Sequence, residues 1–265
     1  MEQQQVEKFR AWFDGYVAGF YGDDEYVNAN LKSKEQHSRR TCTEMLYLAD
    51  ELGLAENQRR IAEAIALLHD IGRFEQFVRY RTYNDPRSID HCLLGLEVLG
   101  KTKILEPLEK TERQLIERAI EYHGLKKLPS DLNGECLLFS KMIRDADKID
   151  IFYVVTGYYE QYSADPENFI FDLELPDEPN CSPQVIEGLL EGERIDYKSL
   201  QTQNDMKLLQ LAWIYDVNFP ATLKRIRQRK FLEKIIGFLP KTGEIEKVKK
   251  KIFEYVDSAI EQAGR

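Results

Sequence analysis

The chain has 265 residues, of which 43% are hydrophobic and 31% are charged, with both signs interspersed. This composition is typical of a globular protein with enough apolar material for a well-buried core, and it excludes a disordered chain. The formal net charge of −9 argues against a long nucleic acid as a partner, because such binding needs a dense basic surface.

The cysteines and the N-terminus indicate a reducing compartment. Cys42, Cys92, Cys136 and Cys181 are widely spaced and form no CxxC pair, which favours buried thiols over a disulfide framework. The first residues lack the basic and then apolar pattern of a signal peptide. No apolar run reaches the roughly 18–20 residues that a membrane-spanning helix needs. We therefore expect a cytoplasmic protein that does not bind a membrane.

Apolar residues recur at helical spacing along most of the chain, and this pattern predicts amphipathic helices. The predicted helices cover residues 4–20, 34–53, 58–71, 111–123, 135–160, 200–215, 218–237 and 243–263. The apolar residues of each predicted helix form a stripe along one face. Gly53, Gly72 and Gly124 follow three of these stripes, as a glycine commonly does at a helix end. Thr111 and Gln114 have the spacing of a capping box.

Two further short helices are predicted from their opening residues. One begins around Ser88, and the other begins with Ser182 as N-cap and Pro183 at the first helical position. The stretch 164–183 is rich in proline and acidic residues, so we predict a long connection there, with a short strand at 169–171.

The predicted fold class is all-α, and we expect a single domain over residues 1–265. Within it we place a metal-site core at about 30–160, the acidic connection at 164–183 and C-terminal helices at 184–265. We find no internal repeat and no low-complexity tract.

Several polar residues lie on or at the ends of otherwise apolar helix stripes. They are His37, His69, Asp70, His91, His123 and Asp147, and they include all of the histidines in the chain. Any one of them alone is more simply explained as a satisfied core or surface residue. Together they need partners inside the protein, because each buried polar or charged group without a partner costs several kcal/mol of folding free energy. A metal ion compensates all of them at once, and His with Asp is a natural ligand set for it.

The order and wording of these residues resemble a known family. His37, then the run Leu67–Arg73 with its Leu-Leu-His-Asp-Ile-Gly-Arg sequence, then Asp145–Lys148, are similar to the H…HD…D signature of the HD superfamily. The resemblance implies an HD-domain helical bundle, here with additional C-terminal helices. It implies a first metal ion bound by His37, His69, Asp70 and Asp147. Asp145 is a rival to Asp147 but points roughly to the opposite side of a helix, so we prefer Asp147.

Two intervening histidines extend the resemblance. HD proteins that carry such a pair tend to hold two metal ions, which here implies a second ion bound by His91 and His123 and bridged by Asp70. The alternative is a single ion, with His91 and His123 as substrate contacts or proton-transfer groups. The implied cofactor is one or two divalent transition metal ions, with Fe, Mn, Zn, Ni and Co all compatible with the ligands.

The family resemblance implies a phosphohydrolase that cleaves a phosphoester of a small molecule or nucleotide with a metal-activated hydroxide. Asp70, Arg73 and Lys148 are the candidate catalytic residues. Arg79 and Arg81 are candidate substrate-binding residues, because phosphate groups require additional positive donors. They lie within the polar, tyrosine-rich segment 77–86, which is a candidate lid.

Two other functions remain open at this point. An HD-fold di-iron oxygenase similar to myo-inositol oxygenase uses the same ligand types, so the ligands alone do not distinguish it. A sensor or binding module with a structural metal is the second alternative. A cyclic dinucleotide phosphodiesterase of the HD-GYP kind is disfavoured, because the chain has Tyr-His-Gly-Leu-Lys at 122–126 in place of that motif.

Overall fold

The computed structural model describes residues 1–165, 175–193 and 195–263, and within these ranges it contains helices and no strand. The prediction of an all-α fold is therefore confirmed. The α-helices are α1 Gln3–Ala18, α2 Glu25–Glu51, α3 Glu56–Leu68, α4 Gly72–Tyr80, α5 His91–Thr102, α6 Lys110–His123, α7 Gly134–Ala164, α8 Pro183–Glu191, α9 Gln203–Ala212, α10 Pro220–Gln228, α11 Phe231–Gly237 and α12 Gly243–Ala263. Short 3-10 helices lie at Asp85–Arg87, Tyr197–Ser199 and Trp213–Asp216.

The chain divides into two compact units. The first comprises residues 1–150 and the second comprises residues 151–265, so the division falls within α7. Our expectation of one domain over the whole chain remains a prediction. The strand expected at 169–171 lies outside the described residues. None of the described helices is both long enough and apolar enough to cross a membrane.

The first unit is built around α3. Every residue from 61 to 68 is buried, so this part of the helix is enclosed on all sides. It packs against α1, α2 and α6, which supply fully buried side chains such as Phe13, Met45 and Ile120. Apart from Glu63, which pairs with Arg10, these residues are apolar on every side, and such a segment belongs in a core. Residues 69 and 70, which follow it directly, therefore emerge inside the protein rather than at its surface.

Helix starts differ from the sequence predictions where a different residue caps the helix. Helix α2 begins well before residue 34, because Asp24 caps it by accepting a hydrogen bond from the Val27 N–H at 3.0 Å. Helix α5 begins at His91 with Asp90 as its N-cap, so the expected start near Ser88 is wrong. Helix α6 has Glu109 at its N-cap position and no side-chain cap, so the capping box expected at Thr111 is also wrong.

The glycines after the apolar stripes have different roles. Gly53 has a φ of +64°, the left-handed backbone expected of a glycine beyond a helix end. Gly72 instead begins α4, so the predicted end at this glycine is wrong. A Cβ on Gly72 would lie 2.3 Å from the carbonyl oxygen of His91 and 2.6 Å from the backbone N of Gly95. The residue is a glycine because α4 and α5 approach each other too closely for a side chain.

The second unit has its own buried aromatic contacts and a buried carboxylate that accepts hydrogen bonds. Phe152 is fully buried and contacts the rings of Trp213 and Phe231. Asp205 is fully buried, and its carboxylate accepts hydrogen bonds from the backbone N–H and the hydroxyl of Ser182, both at 2.7 Å. The predicted single helix at 218–237 is two helices, because Lys230 between them has a left-handed φ of 55°.

Candidate metal centre

The predicted ligands converge inside the first unit. They come from α2, the end of α3, the first residue of α5, the last residue of α6 and the middle of α7. Each is buried except Asp147, whose side chain is 23% exposed. The predicted ligands are His37, His69, Asp70, His91, His123 and Asp147.

One oxygen of Asp70 faces the first set of ligands. Asp70 Oδ2 lies 3.5 Å from His37 Nε2 and 3.6 Å from His69 Nε2. Asp147 Oδ1 lies 3.1 Å from His37 Nε2 and 3.9 Å from His69 Nε2. Ligand atoms that bind one ion at about 2.1 Å stand roughly 3.0–3.4 Å apart, so only small adjustments are needed. We call His37, His69 and Asp147 the first ligand group.

The other oxygen of Asp70 faces a second pair of imidazoles. Asp70 Oδ1 lies 3.5 Å from His91 Nε2 and 3.8 Å from His123 Nε2. The two Nε2 atoms are 3.1 Å apart. We call His91 and His123 the second ligand group. A single carboxylate thus has one oxygen directed at each group.

The Nδ1 atom of every histidine forms a hydrogen bond with an oxygen acceptor. The partners are Asp150 Oδ2 for His37 at 2.7 Å, the Ala66 carbonyl for His69 at 2.7 Å, Asp85 Oδ2 for His91 at 2.6 Å and the Ile120 carbonyl for His123 at 2.7 Å. Carbonyl and ionised carboxylate oxygens only accept hydrogen bonds, so each Nδ1 carries the proton. A neutral ring then directs the lone pair of Nε2 at the centre.

These lone pairs require a cation. Among the described residues, the buried Nε2 atoms of His37 and His69 have no hydrogen-bond partner. The Nε2 atoms of His91 and His123 face each other at 3.1 Å, which places two lone pairs against each other if both rings are neutral. A metal ion bound by nitrogen and oxygen ligands removes both problems, and this donor set suits divalent transition metals. The residues present therefore fit such an ion.

The charges around the centre keep the two carboxylates ionised and one ring neutral. Burial lowers the pKa of His69 to about 4, so this ring is neutral at pH 7. Burial opposes ionisation of Asp70, but the charge of Lys34 and the neighbouring groups hold its pKa well below the ordinary value. Burial likewise opposes ionisation of Asp147, but the adjacent imidazoles, His37 first, lower its pKa. Ionised carboxylates and neutral imidazoles are the forms that bind metal.

Asp150 and Asp85 orient two of the imidazoles, and the sequence analysis did not identify either. Asp150 accepts hydrogen bonds from Arg40 Nε at 2.6 Å and Nη2 at 3.0 Å, in addition to its contact with His37. Its position three residues after Asp147 on a helix was a usable signal. Asp85 lies in the segment between α4 and α5, where no periodic pattern indicates a role.

Asp85 links the second ligand group to the loop before α5. Besides His91, it accepts hydrogen bonds from Arg73 Nη1 and Gln76 Nε2, each at 2.8 Å. Burial raises its pKa, but the hydrogen bond and charge of His91 outweigh this effect and lower it to about 2. The carboxylate is therefore ionised when it accepts the hydrogen bond from His91 Nδ1.

We expect Asp85→Asn to weaken metal binding by the second ligand group by about 10–100-fold, the usual effect of removing such a supporting carboxylate. The neutral amide holds the His91 ring less firmly and lowers its basicity. Competition with a chromophoric chelator measures the effect. Asp14→Asn is the control, because Asp14 is exposed and pairs with Arg39. Unchanged affinity in Asp85→Asn would refute this role.

The predicted substrate cations lie in different surroundings. Arg73 is beside the centre, with Nε 3.4 Å from Asp70 Oδ1, while its Nη1 donates to Asp85 and to the Tyr83 carbonyl. Lys148 is half-buried on α7, directly after Asp147. Arg79 and Arg81 are each about half exposed and form ion pairs with Glu75 and Asp24, respectively. Substrate binding by Arg79 and Arg81 stays a prediction.

Lys34 is a cation that the sequence analysis missed. Its Nζ lies 2.8 Å from Asp70 Oδ2 and 5.3 Å from the centre of the Tyr83 ring. The Tyr83 hydroxyl in turn donates to the Asn30 carbonyl on the same helix as Lys34. Lys34 precedes His37 by three positions on α2, and this spacing puts both on one helix face. That spacing was a signal available in the sequence.

A comparison with protein-family models agrees with this arrangement. The family model described as HD domain matches residues 35–151, a range that includes all of the candidate ligands. This segment therefore matches the HD domain family. HD domains bind divalent metal ions and are typical of metal-dependent phosphohydrolases. A search of curated proteins found no match, and neither did a search of solved structures.

Proposed function

We propose that the chain is a phosphohydrolase that cleaves a phosphoester of a small molecule or nucleotide at a centre of two divalent metal ions. The observation that carries the proposal is the position of the Asp70 carboxylate. Its Oδ2 faces the imidazoles of the first ligand group and its Oδ1 faces those of the second, at distances of 3.5–3.8 Å. A carboxylate placed in this way is suited to bridge two ions.

Two ions about 3.5–4 Å apart would lower the pKa of a shared water and neutralise charge on a phosphate group. The chain's own residues would hold this arrangement in place. Asp70 would fix the spacing between the two groups, and the acceptors at each Nδ1 keep the Nε2 lone pairs directed inward. Asp147, the most exposed of the ligands, marks the side on which a substrate can approach.

Lys34 and Arg73 have separate roles in this proposal. Lys34 forms an ion pair with Asp70, and its side chain is 22% exposed. When metal ions satisfy Asp70, the Lys34 ammonium can turn to a substrate phosphate. Arg73 is engaged with Asp85 and the Tyr83 carbonyl, so we assign it to positioning Asp85. The acidic net charge of the chain is compatible with a small substrate held locally by these groups.

Lys34→Met is expected to lower kcat/KM for a phosphoester by about 10–100-fold, the value of one hydrogen bond to a charged group. The fall should appear mainly in KM, while the metal content stays unchanged. Steady-state kinetics with metal analysis of the same preparation provides the measurement. Lys32→Met on the same helix is the matched control, because Lys32 is exposed and pairs with Glu35. Equal KM values in the two variants would exclude Lys34 from substrate binding.

The experiment that tests the function combines metal analysis with an activity screen. Protein purified without chelators would be assayed against phosphomonoesters, nucleotides and cyclic nucleotides, with Mn, Co, Zn or Fe supplied. We expect phosphate release that is lost in His69→Ala and kept in Gln36→Ala, an exposed position on α2. Oxygen-dependent turnover with iron and no phosphate release would replace this proposal with an oxygenase.

A further inference from the structure

A cysteine lies against the second ligand group. Cys92 is the second residue of α5 and is 3% exposed. Its Sγ lies 3.4 Å from His91 Nε2 and 3.6 Å from His123 Nδ1. His91, Cys92 and His123 together form a buried cluster whose ligand atoms lie within 4.8 Å of one another. The thiol therefore reaches the same imidazoles that face Asp70 Oδ1.

The backbone next to His123 is shaped to leave room for this sulfur. A Cβ on Gly124 would lie 2.7 Å from Cys92 Sγ and 3.3 Å from His91 Cε1. Gly124 has a φ of −81°, so its backbone conformation would accept any residue. A glycine is favoured at this position because any larger side chain would overlap Cys92 and crowd His91.

The distance from Cys92 Sγ to His91 Nε2 is that of two ligands around one ion. A metal bound by sulfur at about 2.3 Å and by nitrogen at about 2.0–2.1 Å in tetrahedral geometry separates the two ligand atoms by about 3.6 Å. The observed distance from Cys92 Sγ to His91 Nε2 is 3.4 Å. The Nε2 atoms of His91 and His123 lie 3.1 Å apart, so both imidazoles face the same place.

We propose that Cys92 binds, as a thiolate, the metal ion held by His91, His123 and Asp70 Oδ1. The inference rests on the proposed two-metal centre and extends it. On binding, the Cys92 thiol loses its proton to solvent and the sulfur forms a bond to the metal. The two ions then have different ligands, with nitrogen and oxygen at the first and an added sulfur at the second. Thiolate favours softer ions such as Zn, Co and Fe(II) over Mg and Mn, so the second position selects them.

Cobalt absorption tests this ligand directly and does not depend on activity. The full chain, freed of metal, would be titrated with Co(II), and the near-ultraviolet band of a sulfur-to-cobalt charge transfer would be followed. We expect the band in the wild type and its loss in Cys92→Ser. A variant with Cys42, Cys136 and Cys181 all changed to Ser is the matched control, and it should keep the band.

X-ray absorption at the cobalt edge keeps the test valid if Cys92→Ser does not fold. The wild type and the control variant should each show one sulfur neighbour shared over two cobalt ions. Bound cobalt without a sulfur neighbour, or a band that persists in folded Cys92→Ser, would overturn the proposal. Failure to bind any cobalt would overturn both this inference and the proposed function. A protein that has the sulfur ligand but releases no phosphate would contradict only the function.

Discussion

Asp70→Asn is expected to remove both metal ions and to lower the rate of phosphoester hydrolysis more than about 100-fold. Loss of a residue that only supports a ligand already lowers metal affinity or activity by about 10–100-fold. The reason is that Asp70 serves both ligand groups, with Oδ2 3.5 Å from His37 Nε2 and Oδ1 3.5 Å from His91 Nε2. An amide supplies only one oxygen and no charge. Elemental analysis after dialysis, together with initial rates, measures both effects.

Asp50→Asn is the control for this variant. Asp50 is an exposed carboxylate on α2 that pairs with Arg59, so its loss should leave two ions bound and the rate unchanged. If Asp70→Asn kept one ion at full occupancy and lost only the other, Asp70 would not be the bridging ligand.

Gly72→Ala is expected to lower the free energy of unfolding by about 3 kcal/mol, near the upper end for an overpacked core position. The new Cβ would meet backbone atoms at 2.3 and 2.6 Å, and backbone cannot rotate away as a side chain can. Relief of the clash must separate α4 from α5. Because His91 is the first residue of α5, the variant should also lose affinity for the second metal ion. Urea unfolding and metal titration measure the two effects.

Gly100→Ala is the matched control for Gly72→Ala. Gly100 also lies in α5, and a Cβ there would meet nothing within 4 Å. Alanine in a helix interior is favoured over glycine, so the free energy of unfolding should rise by about 0.5–1 kcal/mol. A Gly72→Ala variant as stable as Gly100→Ala would show that α4 and α5 are less closely packed than described.

Periodicity was sufficient for the helices whose apolar face is long and regular. The stripe ending at His69 predicted α3, and the stripe carrying His123 predicted α6, each to within a few residues. The same stripes indicated the ligands, because a polar side chain at an apolar position needs compensation wherever the helix is placed. The helix starts were less accurate, because α2 and α5 begin after Asp24 and Asp90, which cap them, and the apolar spacing did not identify these caps.

The parts that sequence reasoning missed depend on contacts between distant segments. The role of Gly72 follows from the approach of α5, and no pattern in the residues around 72 reports that distance. Asp85 acts through His91 across a loop without periodicity. Cys92 looks like an ordinary buried thiol in sequence. Only its distance from His91 and His123 distinguishes it from Cys42, whose Sγ lies near the Glu63 carbonyl.

Anomalous diffraction from crystals of the metal-loaded protein tests the central claim most directly. We predict two peaks about 3.5–4 Å apart, one bound by His37, His69 and Asp147 and the other by His91 and His123, with Asp70 between them. A single peak, or a pair of peaks that Asp70 does not bridge, would contradict the account.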